Sequence, residues 1–136
     1  MTEGPFGHFT DEARSRSHVL LVAGGVGITP IRALLEEMVG DLVLVYRVTN
    51  EEEIIFRTEL EELARERGVK LRYVVGPRDA GGRNLLSAHH LRELVPDIQS
   101  REVYVCGPPS LSKVVERSTR RAGVPSKHIH IDRFAF

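Results

Sequence analysis

The chain is poor in the features that would take it out of the ordinary globular class. Its only cysteine, Cys106, excludes an internal disulfide and fits a reducing compartment. It has no surplus charge of either sign: nineteen Lys and Arg balance nineteen Asp and Glu, so no net field exists to hold a nucleic-acid backbone or an anionic bilayer. No nucleic-acid partner is expected, and any anion site must be local. The longest apolar run, Val19 to Ala23, falls far short of the roughly 20 residues of a membrane span, and the polar N-terminus has no signal-peptide apolar region. A cytoplasmic location is therefore expected. Neither a repeat nor a low-complexity tract is present, and 136 residues suffice for a single core.

The patterning alternates between strand and helix. His18 to Ala23 is a continuous apolar run ending in glycines, as in a strand buried on both faces. Ile28, Ile31, Leu34, Leu35 and Met38 then recur at helical spacing, with Pro30 in the first turn, where a helix tolerates it. Leu42 to Tyr46 is a second strand, and Asn50 with Glu53 predicts a helix opening at 50 and running to Arg67 before a Gly68 stop. Val69–Val75 gives a third strand, Gly76–Asn84 a long turn-rich loop, and Ser87 caps a short helix to Leu94. Glu102–Cys106 is a fourth strand, 111–121 a last helix, and Ile129 and Ile131 alternate with His128, His130 and Asp132 in a fifth strand that runs to about Arg133. This order predicts an α/β fold of three layers, a doubly wound parallel sheet with its ligand crevice beyond the strand C-termini.

The feature richest in chemistry is Gly24-Gly-Val-Gly-Ile-Thr-Pro30 between the first strand and first helix. Backbone N–H groups at a helix start, reinforced by the macrodipole, make a seat for an anion such as a pyrophosphate. Glycines suit it because a Cβ would block close approach of a phosphate or forbid the backbone angles. The third glycine of the common dinucleotide fingerprint is absent, its place taken by Pro30, which disfavours a standard dehydrogenase. The second strand ends in Tyr46-Arg-Val-Thr-Asn50, with no acid at 47–50 to grip a ribose 2′-hydroxyl; Arg47 instead offers a guanidinium to a 2′-phosphate, and Arg78 in the loop after the third strand would assist.

Together with Val103-Tyr-Val-Cys-Gly-Pro-Pro109, the turn Gly24 to Pro30 resembles the nicotinamide-nucleotide domain of the ferredoxin–NADP reductase superfamily. The ending Asp132-Arg-Phe-Ala-Phe136 and the double proline resemble most its ferric reductase and NADPH oxidase branch. The resemblance covers residues 18–136 and implies five parallel strands in the order 3-2-1-4-5. Residues 1–17, with Gly4-Pro-Phe-Gly7, resemble the last strand and linker of the family's flavin-binding barrel, while no Arg-x-Tyr-Ser-type flavin motif is present. The expectation is half of an enzyme: FAD belongs to the intact protein and not to this fragment, and the parent chain is membrane-anchored in some family branches.

The resemblance also implies roles. Gly24, Gly25, Gly27, Ile28, Thr29 and Pro30 would line the pyrophosphate and nicotinamide-ribose region. Cys106 would sit near the nicotinamide C4, with Gly107 and Pro108 shaping the same floor, and Phe136 would stack on the flavin where nicotinamide must enter. NADP(H) is the expected cofactor, with NAD(H) as the alternative. The partners implied are the flavin-binding domain of the same parent chain and an acceptor that is haem, ferric iron or an iron–sulfur protein. A rival reading is a regulatory or docking domain that kept the fold. No metal site is expected: His128 and His130 share a strand face and His89 and His90 are adjacent, but no further ligands follow at a recognisable spacing, so all four are expected as solvated surface residues.

Overall fold

The computed structural model describes residues 16–77 and 85–132. Five strands, β1 (His18–Gly24), β2 (Asp41–Val48), β3 (Lys70–Val75), β4 (Glu102–Cys106) and β5 (Ile129–Asp132), alternate with α1 (Ile28–Glu37), α2 (Arg57–Arg67), α3 (Ala88–Leu94) and α4 (Pro109–Arg121). The sheet is parallel throughout, in the order β3-β2-β1-β4-β5. The predicted architecture and strand order both hold.

The central strands are apolar on both faces because helices cover both. Leu21, Leu44 and Tyr104 pack beneath α1 and α2 with Ile28, Leu35 and Leu60. Leu20, Val45 and Val105 pack beneath α3 and α4 with Leu91 and Val115. Every residue of β4 is buried, as a parallel strand between two helical layers requires. The predicted caps are in place: Ser87 Oγ accepts the His90 N–H at 3.2 Å, and Gly68 ends α2 in the left-handed region at φ 72°.

The predicted helix from Asn50 to Arg67 is interrupted. Glu51–Glu53 forms a 3₁₀ turn, Ile54 is extended, and Phe56 takes φ 60° before α2 starts at Arg57. Local bonds compete with the helix there: Glu53 Oε1 accepts the Thr49 N–H at 2.9 Å, and the Tyr46 hydroxyl accepts the Ile55 N–H at 3.2 Å. Ile54 and Phe56 are thereby turned onto the core, with the Arg32 guanidinium 5.0 Å from the Phe56 ring centre.

Two of the histidines also depart from expectation. His128 and His130 are not solvated; both bond the carboxylate of Glu102, a side chain with no exposure, and the His130 ring stacks on Tyr104 at 4.8 Å. The edge strand lays them against the start of β4, where a buried carboxylate needs hydrogen-bond donors. His90 bonds the Leu85 carbonyl, and His89 pairs with Glu93 at the surface. Among the described residues no group of three His, Cys, Asp or Glu is placed to hold a metal ion.

At the strand N-termini, the edge away from the glycine turn, lies a buried cation that the sequence did not announce. Arg101, 2% exposed, donates to Asp97 and Asp41 carboxylates at 2.8 Å and to the Val19 and Asp41 carbonyls at 2.9 Å. One guanidinium thus ties β1, β2 and the approach to β4. Its hydrogen bonds hold the Asp41 and Asp97 carboxyls below the usual carboxylate range. Lowered carboxyl values contribute stability that is complete above the unfolded value, about 3.9, and drains as the pH falls through the lower folded values. Arg101→Met is expected to cost about 3 kcal/mol in urea unfolding, because buried carbonyls lose their donor. It is also expected to flatten the loss of stability below about pH 4. Equal acid sensitivity in the variant and the parent would refute the assignment.

Candidate functional site

The site end of the sheet is made by two turns in backbone contact. Gly25–Gly27 forms a 3₁₀ turn that carries β1 into α1, and Gly107-Pro108 carries β4 into α4. A Cβ on Gly27 would stand 2.1 Å from the Cys106 carbonyl oxygen and 2.9 Å from the Gly107 nitrogen, and one on Gly24 would meet Leu111 at 2.1 Å. Gly107 in turn lies 3.2 Å, measured to its would-be Cβ, from the Gly24 carbonyl oxygen. Gly25 differs from all three: it takes φ +55° with open space around it.

The Ile28 N–H is taken by the Gly25 and Val26 carbonyls, which leaves the exposed Gly25–Val26 turn as the part of the helix start open to a ligand. A cavity of about 330 Å³ runs beside it, joining Gly24, Gly25 and Pro108 to Arg47, Thr49 and Glu53. Leu85, Leu86, Leu111 and Val114 supply its apolar wall. Its mixed lining and its position beyond the strand C-termini suit a nucleotide.

The expected residues do not all converge on that cavity. Gly24, Gly25, Arg47 and Pro108 line it. Ile28 is fully buried in the core beneath α1, Pro30 and Gly27 are buried, and Thr29 is exposed in the first turn of α1. Gly107 borders a second hollow, with Asp132. Arg78 and Phe136 lie outside the described residues. The Arg47 guanidinium reaches across the ends of β2 and β3, donating to the carbonyls of Val48, Val74 and Pro77, the last two at 3.4 Å.

Sequence reasoning missed two acids at this end. Glu53 lines the cavity with Arg47, delivered by the 3₁₀ turn that replaced the expected helix start. Asp132 is register partner to Cys106, and the Cys106 thiol donates to Asp132 Oδ2 at 3.5 Å. Burial first, and the neighbouring carboxylate second, push the Cys106 thiol far above its usual range. The alternation of β5 was the available signal for Asp132; for Glu53 there was none.

Residues 21–117 match the family model described as the oxidoreductase NAD-binding domain. The chain belongs to that family. Ferredoxin–NADP reductase B of Sorangium cellulosum is 33% identical, covering 96% of this chain and 60% of its own length. The ferredoxin reductase component of a 3-ketosteroid-9-alpha-monooxygenase from Mycolicibacterium smegmatis is 37% identical over 85% of this chain, and NADH-cytochrome b5 reductase 2 of Aspergillus terreus 32% over 83%. The chain spans 33% and 40% of those two. These likenesses place the oxidoreductase NAD-binding domain within the ferredoxin–NADP reductase superfamily.

Solved structures share the fold. The flavohem-like FAD/NAD-binding domain of a Vibrio cholerae nitric oxide dioxygenase superposes with a TM-score of 0.71 at 24% identity, covering 90% of this chain and 53% of its own. An Amycolatopsis cytochrome P450 reductase gives 0.72 at 21%, covering 98% and 43%.

Two outcomes are expected from this geometry. Gly27→Ala, whose Cβ meets backbone, costs about 3 kcal/mol or more in chemical denaturation, whereas Gly25→Ala, which meets nothing, costs about 1 kcal/mol of backbone strain. Equal costs would contradict the close approach. Cys106, with no exposure and a thiol held protonated, should resist a thiol-specific disulfide reagent at pH 8 in the folded chain and react once it is unfolded in urea.

Proposed function

We propose that this chain is the nicotinamide-nucleotide-binding half of a flavin-dependent oxidoreductase, positioning NADPH for hydride transfer to FAD held by the flavin-binding domain of its parent chain. The observation that carries this reading is the backbone contact between the glycine turn and the end of β4 at Cys106, beside a cavity open to solvent. The Gly24–Gly25 turn binds the pyrophosphate, and Arg47 at the far side of the same cavity receives the adenosine end. Gly107 and Pro108 shape the floor on which the nicotinamide ring lies, and the buried, protonated Cys106 beneath them acts by fit and not as a nucleophile.

FAD supplies acceptance of the hydride and release of its electrons one at a time. This chain's part is to orient the ring and exclude water from one side of it. Residues 1–17 are assigned to the end of the flavin-binding domain and its linker, and 18–136 to the nucleotide domain. Arg78 is assigned to assist at the 2′-phosphate by its guanidinium in the loop after the third strand, and Phe136 to the flavin face by the family resemblance. The acceptor is haem, ferric iron or an iron–sulfur protein, a class supported by relatives named for ferredoxin and cytochrome b5. Among the described residues no helix is long and apolar enough to cross a membrane.

NADP(H) is preferred over NAD(H) because Arg47 supplies a cation in the cavity; Glu53 beside it moderates the preference. Titrating NADPH, NADH and 2′-phospho-AMP while following thermal unfolding tests both statements. A ligand at about a hundred times its Kd adds about 2.7 kcal/mol to native stability. No shift at millimolar nucleotide would overturn the nucleotide site. Arg47→Ala is expected to lower NADPH affinity about tenfold and leave NADH nearly unchanged; an unaltered ratio would remove Arg47 from the 2′-phosphate.

A further inference from the structure

β4 and β5 meet along one polar face. The side chains of Glu102, Tyr104 and Cys106 alternate onto the α1 side of the sheet, and strand register sets His130 opposite Tyr104 and Asp132 opposite Cys106. Each step is bridged. Glu102 bonds both His128, at 3.1 Å, and His130; the His130 ring stacks on Tyr104 with centres 4.8 Å apart and planes at 29°; the Cys106 thiol donates to Asp132 at 3.5 Å. Ile129 and Ile131 turn the other way, onto the core beneath α3 and α4.

Packing alone does not require this ladder. An ionised carboxylate only accepts hydrogen bonds, so each imidazole turns an N–H toward Glu102, His128 through Nδ1 and His130 through Nε2. The Glu102 side chain has no exposure, and a buried charge costs a fold more than apolar side chains of the same volume would. Its register partner on β1 is the apolar Val19. What the polar rungs add is a single alignment, because their hydrogen bonds are met in one relative position of the two strands. β5 is where that matters most: it is four residues long and lies at the edge of the sheet.

The other end of the ladder is the candidate site. Glu102 stands four residues before Cys106, about 13 Å along the strand at 3.3 Å per residue, and does not line the nucleotide cavity. Asp132 closes β5 and borders, with Gly107, a hollow of about 180 Å³. A slide of β5 by about 1 Å would move the Asp132 carboxylate off the Cys106 thiol and reshape the floor at Gly107.

We propose that Glu102 is a positioning residue for the nicotinamide floor: through His128 and His130 it fixes β5 against β4 and so holds Asp132 on Cys106. The proposal rests on the function given above and adds a residue remote from the ligand to that site.

Cys106 is the chain's only thiol, so its labelling by a thiol-specific disulfide reagent at about pH 8 reports on β5. Glu102→Gln is expected to label about tenfold faster or more than its urea-measured stability dictates, with little dependence on urea, because the strand opens locally. Leu60→Ala, a cavity in α2 on the β3 side of the sheet, supplies the comparison: its labelling should follow global unfolding and rise steeply with urea. His130→Ala, at a half-buried position, should shift labelling in the same direction by a smaller factor, and it decides the question by the same criterion if Glu102→Gln does not fold. Titration separates the two ends of the ligand. In Glu102→Gln, NADPH affinity is expected to fall about fivefold or more while 2′-phospho-AMP, held at Arg47 on β2, stays within about twofold. Labelling that merely tracks global stability, as in Leu60→Ala, or an equal loss of both ligands, would overturn the proposal. Local labelling in a chain that binds neither ligand would support the tie from Glu102 to Cys106 and count against the nucleotide site alone.

Discussion

The site depends on one close approach of backbone to backbone. The turn leaving β1 and the turn leaving β4 touch through Gly24, Gly27 and Gly107, positions at which a side chain would collide with a carbonyl, an amide or Leu111. Parallel strands hold their neighbours about 4.8 Å apart, so adjacent turns at their ends can meet only where side chains are missing. That meeting sets the turn into α1 beside the turn into α4, and the cavity runs along them, lined by Gly24, Gly25 and Pro108. A side chain at Gly27 would force the two turns apart, and one at Gly24 or Gly107 would first displace the Leu111 side chain that walls the cavity.

The strands, their order and the glycine turn were legible because each follows from a strong local rule. Continuous apolar runs mean burial on both faces, and alternation with helices means parallel crossovers. Ser87 and Gly68 marked helix ends through chemistry confined to a few residues. The break at Ile54–Phe56 was not legible, since a Tyr46 hydroxyl nine residues back competes for the Ile55 amide and no window of propensity contains that bond. Glu53 entered the cavity by the same route.

The buried polar groups were the hardest to read. Glu102 with His128 and His130, and Arg101 with Asp41 and Asp97, join residues far apart in sequence, and each charged residue alone looked like a solvated surface side chain. Only strand register brings them together: β5 lies on β4 and the start of β4 lies on β1. Cys106 was singled out by its motif, while its tie to Asp132 needed the same register.

Arg101 has a consequence for how the chain comes off the ribosome. It joins the ends of β1 and β2 by bonds that span 60 and 82 residues of sequence, so the first two strands can pair long before the group that locks them exists. Synthesis of β1, α1, β2 and α2 leaves a half-sheet whose β1 edge is still bare, waiting for β4. Completion of the sheet thus waits for the second half of the chain, and a nascent chain stalled before Arg101 keeps the β1 edge open to pairing with another strand.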